Sequence, residues 1–370
     1  MHCLTRYFFL LLFFLPAVLP AQRTKEQRKA HRDSLITFWN KQDTNYVRKY
    51  PDRFIVTLSQ SYRQYDIRYF QTFGQDTAGW GAPQMIADAN ASTGISIDFD
   101  KISFSFGIKT TPATDDAIHK KGNTKYTSYG LSLGAYRFRF EASYRNYHSF
   151  YDYKTGVYDT SFQHTGVYFQ NGSMDVRSLR VKTLFIFNKR HFSYNSAYYN
   201  TQRQMKTSGS WLIVSNIYDY QFDSDTSLIP VKSRPFFGQY GDLNYFRVQG
   251  ISIGPGYSCN LVLFRTLYFN ATLTSGFDFQ HRTYDTYSDA YRDKFWKVGA
   301  AGDARFALGL NGKRMFTSVT FRMDYNSYVS QNLRIEPRFK SVDFNIGYRF
   351  PFKERGWVKR MKSNKWYQML

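Results

Sequence analysis

The segment at residues 95–108 reads ISIDFDKISFSFGI, with apolar and polar or small residues alternating on both sides of Asp100-Lys101. A period of two places the two kinds of side chain on opposite faces of a strand. The interruption at Asp100-Lys101 is typical of a tight turn, so the segment predicts a two-stranded hairpin. One face carries the apolar residues Ile102, Phe104, Phe106 and Ile108. The other carries Ser103 and Ser105.

The same alternation recurs along most of the chain. The further candidate strands are Arg53–Tyr69, 129–135, 138–144, 174–187, 190–202, 209–221, 246–264, 266–279, 294–309, 314–327 and 339–352. Most are about ten to sixteen residues long, whereas strands in soluble sheets usually have about five or six. A tilted strand needs roughly 9–11 residues to cross a membrane. The lengths therefore favour strands that span a bilayer.

The composition supports this interpretation. Aromatic residues make up 19% of the chain, with 31 Tyr and 35 Phe, yet the mean hydropathy is −0.51. In a transmembrane barrel the lipid-facing and lumen-facing residues alternate, so averages cancel, and aromatic girdles mark both interfaces. We therefore predict an all-β fold, a transmembrane antiparallel up-and-down β-barrel of about 12 strands, within a range of 10–14. The apolar face of the first hairpin should contact lipid.

The connections between candidate strands alternate in length, as they do in bacterial barrels. Long polar segments at 70–91, 110–124 and 148–172 are separated by tight turns. After residue 203 this alternation fails, and the candidates number thirteen, whereas two periplasmic ends require an even number. Either one candidate does not cross, or another is hidden in 225–243, where Pro230 and Pro235 disfavour a strand.

The ends of the chain predict export. Arg6 precedes the apolar run from Tyr7 to Leu19, and Pro20-Ala21 ends it, which is typical of a signal peptide. We expect a signal peptide at 1–21, a partly helical periplasmic segment at 22–50, the barrel at 51–352, and a basic tail at 353–370. The implied location is the outer membrane of a Gram-negative cell.

The charge and the few cysteines limit the possible partners. The formal net charge is +22, but the cations are spread along the chain without a nucleic-acid-binding motif. We expect no nucleic acid partner, and instead contacts with outer-membrane lipid and lipopolysaccharide phosphates, or a basic lumen that favours anions. After cleavage a single cysteine, Cys259, remains, and no histidines have ligand spacing, so we expect neither metal nor cofactor.

Two sequence features resemble known patterns. Asn345-x-Gly347-x-x-Phe350-x-Phe352 resembles the C-terminal signal read by the barrel-assembly machinery, which is therefore an expected partner. The run from Phe187 to Tyr194, continuing through residues 202–211, resembles the central signature of a family of uncharacterised Bacteroidetes outer-membrane proteins, a domain of unknown function. Ser227-Leu-Ile-Pro230 and Gly254-Pro-Gly-Tyr257 resemble its later landmarks. The resemblance would cover about residues 43–350 and implies an outer-membrane barrel without a known activity.

Catalytic patterns are weak. Residues 130–134 and 250–254 both match the G-x-S-x-G motif, but a nucleophile elbow needs a strand, a turn and a helix, and both copies lie inside alternating strands. A lipid hydrolase could use His148-Ser149 or His191-x-Ser193. Neighbouring strand residues face opposite ways, and residues two apart lie roughly 6–7 Å from each other. We therefore expect that the protein is not an enzyme and that Ser132 and Ser252 are not nucleophiles.

Two classes of function remain. One is a narrow pore or channel selective for small anionic solutes, and the other is a plugged structural barrel that binds an envelope partner. The segment 202–210 (QRQMKTSGS) is unusually polar between two long candidate strands. If the strand continues, Gln202, Gln204 and Lys206 share one side. They form either a polar wall whose groups bond one another, or a constriction that binds an anionic group.

Overall fold

The computed structural model describes residues 42–364 except 73–78, 111, 135, 289–291 and 354, and in addition residues 24, 26–27, 30–31, 34 and 367. The predicted signal peptide at 1–21 lies outside the described residues. The chain divides after Lys41 into two units. In the first unit, residues 26–27, 30–31 and 34 are helical, and Thr24 and Gln27 cap each other reciprocally through backbone N–H groups.

The second unit consists mainly of strands. They are β1 Val47–Lys49, β2 Arg53–Gln71, β3 Gln84–Asp88, β4 Ser92–Phe99, β5 Ile102–Lys109, β6 Lys125–Leu133, β7 Phe138–Asp152, β8 Phe169–Ile186, β9 Gln202–Gln204, β10 Ser208–Asp223, β11 Leu243–Leu263, β12 Leu267–Thr286, β13 Arg292–Asn311, β14 Met315–Asn326, β15 Tyr328–Val329 and β16 Leu333–Pro351. The short helices are α1 Asp115–Lys121, α2 Thr155–Tyr158, α3 Phe162–Thr165, α4 Asn195–Tyr198, the 3-10 helix Val231–Tyr240, and α5 Gly356–Ser363.

Twelve of the described strands form a closed antiparallel ring. Its order is β2, β4, β5, β6, β7, β8, β10, β11, β12, β13, β14 and β16, and the pairing of β16 with β2 closes it. Every neighbouring pair follows chain order, which is the up-and-down topology. Closure removes the unpaired edges that an open sheet would present to lipid. The predicted fold class and strand number are confirmed.

Alternation within the ring sorts side chains between its two sides. Phe104 is 49% exposed on the outside, whereas Ser103, beside it on β5, is 5% exposed and faces the lumen. Large apolar residues are exposed in the same way around the ring, among them Ile97, Leu131, Ile217, Ile251, Phe277, Val298, Val319 and Phe344. Water would penalise so much exposed apolar surface, and lipid would not. The outer surface is thus suited to a bilayer.

The thirteenth candidate strand, 190–202, does not cross the barrel, and this part of the prediction was wrong. Residues 187–207 leave β8, contain α4 and β9, and return to β10 at the same end of the ring. The region 225–243 contains the 3-10 helix and no crossing strand. Apart from this long connection at 187–207, short turns lie at one end of the ring and longer connections at the other. We call the end with short turns the inner end and the other the outer end.

The ring becomes narrower towards the outer end. β4, β5 and β6 are only eight or nine residues long. Beyond them, β2 pairs with β3 through residues 64–68, and β3 pairs with β7 through Met85 and Ile86. One strand therefore replaces three, and twelve strands become ten. The step leaves a wide inner half and a narrow outer half.

Because one face of β5 meets lipid and the other meets the lumen, a charge introduced on the two faces should lower the free energy of unfolding by different amounts. Phe104→Arg should lower the free energy of unfolding by about 2–4 kcal/mol, because its guanidinium would enter the lipid core. Ser105→Arg should cost much less, since this side chain faces the polar lumen. Chemical unfolding of both variants in lipid vesicles measures the difference. Equal costs would mean that the faces are reversed.

Candidate functional site

The inner end of the lumen is filled by residues 187–207, which we call the plug. Its side chains and carbonyls are bound from several walls of the ring. Arg139 Nη1 donates to Asn195 Oδ1 at 2.9 Å, and Arg349 Nε donates to the Asn200 carbonyl at 2.9 Å. Arg139 and Arg349 are 1% and 0% exposed. Both guanidiniums are therefore committed to holding the plug in place.

Other strands bind the plug through neutral groups. Asn260 Nδ2 on β11 donates to the Ser193 carbonyl at 2.9 Å, and Tyr198 Oη donates to Asn270 Oδ1 on β12 at 2.5 Å. Phe192 and Tyr194 of the plug are fully buried against Leu184 and neighbouring apolar residues. Buried polar groups with partners and a small apolar cluster together make this an ordered element.

Within the plug, β9 pairs with β1 in a two-stranded sheet that is separate from the sheet of the ring. In β1, Lys49 lies with its ammonium 3.9 Å from the centroid of the Tyr136 ring. Burial lowers the pKa of Lys49 to about 8, and the nearby charge of Lys101 acts in the same direction. A cation in such surroundings is held by the aromatic face. The contact joins the start of the barrel chain to the β6–β7 turn.

The polar segment singled out from the sequence belongs to the plug. Gln202 and Gln204 are 3% and 4% exposed in β9. Gln204 Oε1 accepts from the Ser193 N–H at 2.9 Å, and its Nε2 donates to the His191 and Lys206 carbonyls. Gln202 Oε1 accepts from the Ser193 hydroxyl. The two amides thus bond other groups of the plug, as the polar-wall alternative describes.

Lys206 meets these amides only through its backbone carbonyl, and its ammonium lies over another group. Its Nζ lies 5.3 Å from the centroid of the partly buried Tyr46 ring, and Lys206 itself is exposed. Arg203, on the opposite side of β9, donates to the Arg265 carbonyl at 2.7 Å. The binding of an anionic group by Gln202, Gln204 and Lys206 stays a prediction.

Ion pairs join opposite walls in the middle of the lumen. β7 and β14 are separated by five strands in either direction around the ring, and β8 and β13 lie beside them. The pairs are Arg145 Nη1–Asp324 Oδ2 at 3.2 Å, Arg180 Nη1–Asp324 Oδ2 at 3.3 Å, Lys182 Nζ–Asp303 Oδ1 at 2.6 Å and Arg305 Nη1–Glu141 Oε2 at 3.0 Å. Removing one partner of such a buried pair typically costs 3–5 kcal/mol. The pairs cross the lumen where an open pore would conduct.

The narrow outer half of the barrel has an apolar interior. Phe246 and Tyr284 lie with ring centroids 4.7 Å apart, and both are fully buried. The 3-10 helix adds Phe237 and Tyr240, at 0% and 1% exposure, to the same cluster. Aromatic contacts of this kind add to the free energy of area burial. The outer end is therefore packed like a protein core.

A cavity of about 230 Å³ remains inside the wide half. Its lining includes Tyr198 and Tyr199 of the plug, the ion-pair cations, and the inner faces of β4, β5 and β6. Those three strands present glycines and serines there. Serine hydroxyls lie directly over Gly94 and Gly130, so a Cβ at either position would come within 2.5 Å of an oxygen. Small side chains on this wall leave the space open.

The residues considered for catalysis are engaged elsewhere. Ser132 donates to Tyr199 Oη at 3.2 Å, and Ser252 accepts from Asn216, both within strands. Among the described residues, no hydrogen bond joins His148 to Ser149 or His191 to Ser193. The described part of the chain also holds no group of three or more His, Cys, Asp or Glu side chains that could bind a metal ion.

The sequence indicated only some of the residues that form this site. The G-x-S-x-G match at 130–134 marks the small-residue wall of the cavity. The plug was not recognised from the sequence, because residues 190–202 alternate like those of a strand. The adjacent Tyr198 and Tyr199 interrupt that alternation. The cross-lumen partners carry no local signal, since each pair joins residues more than a hundred positions apart, such as Arg145 and Asp324.

Within the described residues, no helix has the length and apolar character required to traverse a membrane. No curated protein matches the chain. Solved structures match at 7–12% identity. The outer membrane protease OmpT of Escherichia coli has 7% identity, covering 83% of this chain and 100% of that chain, with a TM-score of 0.38. An outer membrane channel of Pseudomonas putida F1 has 7% identity, 83% and 99% coverage, and a TM-score of 0.34.

The β domain of the Bordetella autotransporter BrkA has 9% identity, covering 80% of this chain and 99% of that chain, with a TM-score of 0.35. Likeness at this level says nothing of what this chain does. One family model matches residues 41–350, close to the 43–350 expected from the resemblance. It spans most of the 370 residues, and the chain therefore belongs to the family described as domain of unknown function DUF4421.

Proposed function

We propose that the protein is an integral barrel of the cell outer membrane of a Gram-negative bacterium, reached through the signal peptide at 1–21, with a lumen that is closed at rest. The sequence resemblance suggests a bacterium of the Bacteroidetes. The exposed apolar band around the ring supports the membrane location. Outer-membrane lipid and lipopolysaccharide would surround it, and the barrel-assembly machinery would insert it through its last strand.

The role we infer is that of a structural or interaction barrel without catalytic activity. The plug carries this proposal, because it is bound by buried arginines and asparagines from several walls and fills the inner mouth. The cross-lumen ion pairs and the packed outer half support the same conclusion. With the lumen filled at three depths, the surfaces left for partners are the loops at the outer end and the segments at the inner end.

A channel selective for small anions is the alternative function. It is favoured by one observation, the excess of cations over carboxylates on the cavity wall. Such a channel would require displacement of the plug and rupture of the ion pairs. A lipid hydrolase has less support, because the candidate serines are bonded to other groups.

The membrane location can be tested by fractionation. The mature protein should be found in the outer-membrane fraction, and its mobility on gels should change on heating, as expected of a closed barrel that unfolds only when boiled. The physical basis is the closed ring of long strands with an apolar exterior. Recovery in the soluble periplasmic extract would contradict the proposal.

The closed lumen can be tested by planar bilayer recordings. The refolded wild type should give no conductance above the lipid background. Gln204→Ala should give intermittent openings, because the plug loses an amide that bonds four groups, two of them in buried bonds. A buried polar group left unpaired costs about 1–3 kcal/mol. Arg190→Ala, at an exposed position of the same segment, is the matched control and should stay silent.

The same recordings separate the alternatives. Steady anion-selective conductance of the wild type would replace the closed barrel with the channel. In that case Lys206→Glu tests the predicted anion-binding role of Gln202, Gln204 and Lys206. A changed ion selectivity with intact heat-modifiability would support that role, and unchanged selectivity in a folded barrel would contradict it.

A further inference from the structure

The cavity in the wide half of the barrel has a wall made almost entirely of hydroxyls and glycines. Cross-strand register gives the row Thr57, Ser96, Ser105, Gly130 and Ser143 from β2 to β7. Side chains directly opposite on neighbouring strands lie about 5 Å apart. Among the described residues, Ser105 and Ser143 have no hydrogen-bond partner for their hydroxyls. These donors are therefore available to a molecule in the cavity.

Arginines stand on the other side of the same cavity. The register places Arg322 of β14, Ser341 of β16 and Arg63 of β2 side by side on inner faces. Strands lie about 4.8 Å apart, so the Cα atoms of the two arginines are about 10 Å from each other. Both side chains line the cavity. Two long, flexible guanidiniums at that spacing can converge on one small group.

The Arg322 guanidinium is the notable member of this pair. Within the described part of the chain, neither a hydrogen bond nor an ion pair reaches it, although it acts electrostatically on Asp343 and on Tyr198 of the plug. Arg63 is paired with Asp343 at 3.0 Å, yet its Nε is buried without a partner. Arg322 is partly buried, and the Asp343 carboxylate that it influences is already ion-paired with Arg63. A further anion in the cavity would therefore meet a guanidinium that has no ion-pair partner of its own within the described ranges.

The charged residues around the cavity also favour the binding of an anion. The cations on its wall are Arg63, Arg145, Arg180, Lys182, Arg305 and Arg322. The carboxylates on the wall or bonded to these cations are Asp98, Glu141, Asp303, Asp324 and Asp343. Five of the six cations form ion pairs with Glu141, Asp303, Asp324 or Asp343, and among the described residues Arg322 forms none.

We propose that this cavity binds a small tetrahedral oxyanion, such as inorganic phosphate or sulfate, between Arg322, Arg63 and the hydroxyl wall. Donors lie on several sides of the space, which suits a group with acceptor oxygens in every direction. A volume of 230 Å³ corresponds to about eight waters at roughly 30 Å³ each. It holds such an anion with part of its hydration, but not a lipid.

The site is internal, and it is independent of whether the barrel conducts. The shared chemistry of a phosphate group could also come from a lipid or lipopolysaccharide headgroup. A headgroup carries acyl chains, and these would have to pass the hydrogen-bonded wall of β4, β5 and β6. The free anion is therefore the expected ligand, and the experiment includes both sources.

The test is equilibrium dialysis of the full mature protein, refolded in detergent with and without radiolabelled inorganic phosphate. The wild type should retain one phosphate per chain, displaced by unlabelled sulfate and not by short-chain phosphatidic acid micelles. Arg322→Gln should weaken retention at least about tenfold, since charge-assisted hydrogen bonds are lost. Arg314→Gln is the control, because it removes the same charge from an exposed position of the β13–β14 turn.

A second variant shows whether phosphate binding is lost because the site is blocked or because the barrel has not folded. Ser105→Leu should fill the cavity beside Gly130 and abolish retention while every cation stays in place. Heat-modifiable mobility verifies that each variant is folded. Absence of phosphate and sulfate binding by the wild type, or equal loss with Arg314→Gln, would overturn the proposal. Displacement by the lipid phosphate would also overturn it in favour of a headgroup site.

Discussion

The structure depends on closure of the hydrogen-bonded ring. Once β16 pairs with β2, each ring strand has a hydrogen-bonded neighbour on both sides, and this is the condition for strands to lie in lipid. Closure has a second consequence. Alternation sends half of the side chains of each strand into an enclosed lumen, and those side chains are mostly polar or charged. The polar side chains inside must then be hydrated or ion-paired, or the space must be filled by other groups. This barrel has a cavity and cross-lumen ion pairs in its wide half, the plug at its inner end and packed aromatic side chains in its outer half.

The depth dependence follows from the width of the ring. The outer half has ten strands, because β3 replaces three short ones, and it is narrow enough for aromatic side chains to meet and exclude water. The wide half cannot be filled by side chains from the wall alone. There, long charged side chains such as Arg180 bridge opposite walls, and the chain itself turns inward as the plug. Only the Gly- and Ser-rich wall of β4, β5 and β6 leaves space.

Local sequence determined the wall and not the interior. The alternation around Phe104 predicts which face meets lipid, and strand lengths predict the number of crossings to within one. The segment 190–202 was mistaken for a crossing because its alternation continues through Phe192 and Tyr194, which are buried in a plug instead of facing lipid. Amides such as Gln204 could be recognised as exceptional from their polarity. Their partners depend on three-dimensional register, which no local pattern carries.

The distribution of charge explains why the cavity and the plug occur together. Arg139, Arg305 and Arg349 reach plug groups, and their positive charge is offset by Glu141, by carbonyl oxygens and by amide oxygens. Arg322 lies on the same inner surface, but the plug presents Tyr198 to this region and no carboxylate. A plug with an acidic residue at that place would neutralise the lumen completely. Because the plug has no acidic residue there, the Arg322 guanidinium faces the hydroxyl wall without an ion-pair partner in the described part of the chain. Closure of the barrel does not depend on this charge.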